Sequence, residues 1–119
     1  MKRTAPYLLG AFFAVLLGSV FVTGASSDIY LHKGLDAYKH GDYPKAEANL
    51  SRAEGLDGHN ASAPYYLGLC LHHDSHNEAA LREFRTVCST VEDKKYASPS
   101  DRQLEQEAKA QIQQLDTKP

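Results

Sequence analysis

The sequence predicts an all-α chain in which short antiparallel helix pairs stack side by side and a last helix closes the stack. Three observations carry that prediction. The stretch "YLHKGLDAYKHGDYPKAEANL" (30–50) recurs in outline 34 residues later as "PYYLGLCLHHDSHNEAALREF" (64–84). Each copy spaces its apolar and small residues by three and four, as an amphipathic helix requires. Each copy also breaks once in the middle, at "HGDYP" (40–44) in the first and at "DSHNE" (74–78) in the second.

The chain of 119 residues is long enough for one small domain, and its first 25 residues differ from the rest. Lys2 and Arg3 precede an uncharged, largely apolar run, and the first acidic side chain is Asp28. A basic start, an apolar stretch and a tail of small residues ("TGA", with Thr23 and Ala25) follow the order of a secretory signal. Residues 5–25 are also long enough to span a bilayer, for which about 20 residues suffice. Cleavage near Ser26 and retention as a transmembrane anchor therefore both stand. In either case Lys2 and Arg3 stay in the cytoplasm, and residues 26–119 are expected outside it: secreted or periplasmic, or tethered to the inner membrane. Those residues hold 11 basic and 15 acidic side chains, a formal charge of −4. A mildly acidic body does not suit nucleic acid.

In the first copy, Tyr30, Leu31, Gly34, Ala37 and Tyr38 trace one helix face. Glycine inside a helix costs about 1 kcal/mol, so Gly34 is expected where a second helix comes close. Gly41 supplies a conformation with φ > 0 that ends this helix. Asp42 caps the next helix, and Pro44 suits its first turn, where no N–H partner is needed. Ala46, Leu50 and Ala53 form its inner stripe. The second copy repeats the plan with Gly68, Leu71, Ala80, Phe84 and Val87. A third copy would need glycine where Arg102 stands. Instead, after "KKYASPS", "DRQLEQEAKAQIQQL" reads as one more helix. Ser98 is its N-cap, Pro99 its first residue and Asp101 its reciprocal partner. Leu104, Ala108, Ile112 and Leu115 make a narrow apolar stripe in an otherwise polar helix, which suits a terminal cap.

A 34-residue unit of two helices with these small and large positions resembles the tetratricopeptide repeat. The resemblance covers units at about 27–60 and 61–94, with a capping helix at about 98–116. The family's pattern positions fall on Tyr30, Lys33, Gly34, Ala37, Ala46, Leu50, Ala53 and Gly58, then on Pro64, Leu67, Gly68, Leu71, Ala80, Phe84, Val87 and Val91. Lys33 replaces a Leu, Pro64 the large first anchor, and Gly58 and Val91 the closing Pro. Ser75 and Asn77 replace the second turn's Gly and aromatic. The resemblance implies a short right-handed solenoid packed through Gly34, Ala46, Gly68 and Ala80. It implies a non-catalytic scaffold that holds a protein or peptide partner in a concave groove, with no cofactor. The groove positions carry over to Leu31, His32, Leu35, Tyr38 and Lys39, and to Tyr65, Tyr66, Leu69, His72 and His73. Family members that clamp C-terminal carboxylates use Lys and Asn there. Leu31 and Leu35 occupy two such positions, so that specificity is not expected.

Other chemistry is thinner. "CLHHDSH" (70–76) gathers metal-ligand residue types, and His72 and His76 are four apart. They lack the Glu of an H-E-x-x-H helix and straddle the expected turn, and structural metal sites want four closely set ligands. A His-rich metal-binding protein is the rival reading, and a self-associating repeat oligomer a further one. No strand–turn–helix elbow or glycine-rich loop is present to position a nucleophile, so no enzyme is expected. Cys70 and Cys88 fall in the two helices of the second unit. An exported chain with two cysteines invites a disulfide, and two small buried side chains explain them as well. Asn49 ("NLS") and Asn60 ("NAS") match the glycosylation sequon.

Overall fold

The apolar spacing and turn chemistry yield helices throughout. A computed structural model describes residues 27–117, and the expected signal or anchor at 1–25 lies outside them. Five helices, with no strand among the described residues, follow in order. They are α1 (27–39), α2 (Tyr43–Leu56), α3 (Ser62–His73), α4 (Asn77–Glu92) and α5 (Pro99–Asp116). None of the described helices is both long and apolar enough to cross a membrane. Sequential neighbours pack against one another, and α3 also touches α5.

The 34-residue recurrence is visible in the backbone. At the α1–α2 turn, the amides of His40, Gly41, Asp42 and Ala46 donate to the carbonyls of Asp36, Tyr38, Ala37 and Asp42. At the α3–α4 turn, the amides of Asp74, Ser75, His76 and Ala80 donate to Cys70, His72, Leu71 and His76, each partner displaced by the same interval. Both turns place one residue at positive φ, Gly41 at 77° and Ser75 at 65°. Together these are the bonds of a Schellman ending, which satisfies carbonyls left over by the last helical turn. Asp42 caps α2 by accepting from the Lys45 amide at 3.3 Å. His76 stands in the equivalent place without a side-chain cap.

The glycines pack as the sequence requires. A β-carbon on Gly34 would lie 2.6 Å from the Leu50 side chain, and one on Gly68 would lie 2.7 Å from the Phe84 ring. Two core clusters result. Ala37, Ala46, Leu50, Leu67 and Cys70 form the first. The second holds Ala61, Tyr65, Ala80, Phe84, Val87, Val91, Ala108 and Leu115. Helix α3 feeds both, and its Tyr66 and Leu71 pack against each. The last helix begins as expected. Ser98 accepts from the Asp101 amide, Asp101 accepts from the Ser98 amide, and Lys94 pairs with Asp101 at 3.1 Å. Its buried side chains are Ala108 and Leu115, with Leu104 and Ile112 partly covered.

The cysteines follow the second of their two readings, as separate packed side chains. Both are free thiols, so the candidate Cys70–Cys88 bridge is not formed. Cys70 turns toward α2, into the cluster with Ala46 and Leu50, whereas Cys88 lies near Glu105 and Lys109 of α5. The two thiols leave the hairpin on different sides. Burial, followed by the Glu47 and Asp74 carboxylates, pushes the Cys70 thiol up to about 12. Cys70 thus behaves as a small apolar side chain at neutral pH.

Candidate interaction groove

The residues expected to line a groove come from α1 and α3, which meet through aromatic rings. Tyr38 of α1 lies edge-on to Tyr66 of α3, with centroids 5.2 Å apart. Tyr66 is in turn edge-on to Tyr65 at 5.2 Å, and Tyr65 lies 6.1 Å from Phe84 of α4. On the other side, Tyr38 meets Tyr43 at 6.0 Å, and Tyr43 stacks on His73 at 3.9 Å. A continuous aromatic file therefore runs from the α3–α4 turn across α1 and α3 into the second core. Edge-to-face pairs of this kind add about 0.5–1.5 kcal/mol each beyond their buried area.

Not every expected residue is equally available. Tyr38, Tyr66, Leu31 and Leu35 are half-buried, and they pack against the first cluster from its rim. Leu69 does the same at the second cluster. Tyr65 is 8% exposed and is spent on the core. Neighbouring positions on a helix point about 100° apart, and here Tyr66 is the one that stays accessible. His32, Lys39 and His73 are exposed and His72 is half-buried, so polar groups border the apolar strip. Beyond Tyr66 an open hollow of about 290 Å³ continues to α5, lined by Ser62, Tyr66, Ser100, Gln103, Leu104 and Glu107. A larger one of about 470 Å³ lies between α1 and α2, where Ala37 sits among the polar Lys33, Asp36, His40, Asp42, Lys45 and Asn49.

The phenols respond to this packing. Burial, then Tyr43, Cys70 and Tyr66, raise Tyr38 above the usual phenol range. Burial and the Glu107 carboxylate on α5 raise Tyr65 further. Both remain neutral at physiological pH.

Two carboxyl pairs cross between the units, and neither is readable from periodicity. Glu47 of α2 meets Asp74 at the end of α3. Burial, then Asp74, raises Glu47, while the hydrogen bond from Glu47 and then His73 lower Asp74. Of the two carboxyls, Glu47 is therefore the one that takes up a proton first as the pH falls. Glu54 of α2 meets Glu83 of α4, where burial and then the Glu54 carboxyl push Glu83 up to about 7. Glu47 and Glu83 each keep one carboxyl oxygen buried without a donor.

The candidate metal ligands do not converge. His72 Nδ1 bonds to Asn77 Oδ1 at 3.2 Å, His73 lies 3.4 Å from Asp74, and His76 is exposed at the start of α4. Among the described residues no group of three or more His, Cys, Asp or Glu could hold a metal ion. The residue that sequence reasoning left out of the strip is Tyr43, whose ring bridges Tyr38 and His73. The signal for it was its place as the first unit's turn aromatic, where the second unit carries Asn77. No family model, curated protein or solved structure matches the chain.

Proposed function

We propose that residues 26–119 form a short tetratricopeptide-type solenoid, two units and a capping helix, that serves as a non-catalytic scaffold outside the cytoplasm. It is held there as a secreted domain or by residues 5–25 as a membrane anchor. Its partner is a protein segment, an extended peptide or one face of a helix, laid across α1, α3 and α5. The observation that carries this reading is the file Tyr43–Tyr38–Tyr66, which lies beside Leu31 and Leu35 at the rim of the first core and stays half-accessible there. Aromatic side chains with an apolar ring and a polar tip are favoured at binding hot spots. The exposed His32, Lys39 and His73 supply a polar rim around them.

The test is capture of partners from membranes under mild crosslinking. Tyr38→Ala combined with Tyr66→Ala is expected to abolish recovery while the chain keeps its helical circular dichroism. Gln106→Ala and Gln113→Ala, on the exposed side of α5, are expected to leave recovery intact. If the double tyrosine variant is folded and still recovers the same proteins, the reading fails.

A further inference from the structure

Helix direction decides which chain ends and links lie together. Ser27, at the start of α1, reaches the Ala53 carbonyl near the end of α2 with its hydroxyl, at 3.4 Å. Helix α3 therefore starts at that same end. Helix α4 runs back to it, since its Val91 packs in one cluster with Ala61 at the foot of α3. The start of α1, the α2–α3 link (57–61) and the α4–α5 link (93–98) thus share one end of the bundle. The α1–α2 and α3–α4 turns share the other.

The large hydrophobic side chains exposed among the described residues are Ile29 at 53%, Leu56 at 37% and Tyr96 at 83%. All three belong to the first end. Ile29 lies in the first turn of α1, Leu56 is the last residue of α2, and Tyr96 is in the α4–α5 link. The opposite end is polar, with His40 and Asp42 in one turn and Asp74, Ser75 and His76 in the other. Lys95 lies over the Tyr96 ring at 5.4 Å. An aromatic ring with a lysine beside it is the pairing favoured where protein meets the boundary of a bilayer.

The stretch that leads into this end is the apolar one. The apolar stretch ends at Ala25, and Ser27 is already helical and in contact with α2. Two residues of chain reach about 7 Å at most. We propose that this end of the bundle rests on a lipid bilayer, with Ile29, Leu56 and Tyr96 entering the headgroup boundary and the helices standing away from it. The proposal takes the anchored form of residues 5–25 from the reading above. The lipid surface it fits is electrically neutral. Lys94 is held by Asp101, and Asp28, Asp57, Glu92 and Asp93 at the same end outnumber Lys95, which leaves no net positive patch for anionic headgroups.

The chain has no tryptophan, so a single introduced one reports its own surroundings. The full chain, carrying Tyr96→Trp, Leu56→Trp or Lys39→Trp, would be reconstituted into phosphatidylcholine vesicles with brominated acyl chains. Trp at 96 and at 56 is expected to emit toward the blue and to lose most of its intensity to the bromines. Trp at 39, at the far end, is expected to emit as in water and to keep its intensity. If the chain floats with the vesicles but Trp at 96 and 56 is no more quenched than at 39, the contact is refuted while the anchor stands. If the full chain does not float with the vesicles, the contact and the anchor fall together. Neither outcome touches partner capture through Tyr38 and Tyr66.

Discussion

The two inter-helix turns make the same backbone hydrogen bonds with different residues. The first has Gly41, Asp42 and Pro44, each suited to its place. The second has Ser75 held at positive φ, and His76 at the cap position without a capping bond. Local chemistry alone would not make the second turn. It forms because the helices on either side are clamped by Gly68 against Phe84, as Gly34 against Leu50 clamps the first pair. In this chain the packing stripe dictates the turn, and good turn residues only make it cheaper.

The largest expected effect breaks the clamps themselves. Gly34→Leu and Gly68→Leu each drive a side chain into Leu50 or Phe84, at positions where even a β-carbon is too close. Overpacking costs about 1–3 kcal/mol, a large share of the stability of a domain this small. Thermal melts followed by circular dichroism should show both variants markedly destabilised or unfolded. An unchanged melt for both would mean that the repeats are not held together this way.

A smaller effect sharpens the comparison on the outer helices. Glu83 stands where the first unit has Asn49, so only the second unit titrates at this position. Its folded value of about 7 lies above the ordinary 4.5, so the native chain keeps this proton longer than the unfolded chain does. Stability from this group is full below about pH 4.5 and is lost as the pH rises through about 7. Glu83→Gln should remove that loss and leave the variant more stable at pH 8, by on the order of 1 kcal/mol once solvent screening of a half-buried site is allowed for. Denaturant midpoints at pH 5 and pH 8 would check it. A pH dependence unchanged by the substitution would show that Glu54 and Glu83 do not share a proton.

The smallest effect exchanges the turns. Ser75→Gly relieves a positive φ and should stabilise by about 0.5–1 kcal/mol. Gly41→Ser should destabilise by a similar amount, with nothing within contact distance to compensate. Equal and opposite shifts in melting temperature would establish that the two turns are interchangeable.

Much of the fold was legible in the sequence because it lies along single helices. The stripe from Ala46 through Leu50 to Ala53, the Gly41 ending and the Ser98–Asp101 cap all follow from local spacing, and all occur. What was not legible depends on which neighbour a helix face meets. Cys70 and Cys88 look like partners in one hairpin, yet one faces α2 and the other α5. Tyr65 and Tyr66 are equivalent as letters, and it is the positions of α4 and α5 that take the first into the core. Ser75 gave no sign of a left-handed conformation, because the demand comes from the flanking helices. The carboxyl pairs join residues of different units, and no periodicity connects them.

Helix α3 is the wall shared by both cores, since Leu67 and Cys70 face one and Tyr65 the other, with Tyr66 and Leu71 touching each. Removing either neighbour would leave α3 with a wet apolar flank. Amide hydrogens of α3 should therefore exchange only through opening of the whole array, while those of α1, at the edge, exchange through fraying. A segment bound across Tyr38 and Tyr66 would tie the edge to the wall. Its signature would be slowed exchange in α1, the part of the molecule with the most protection left to gain.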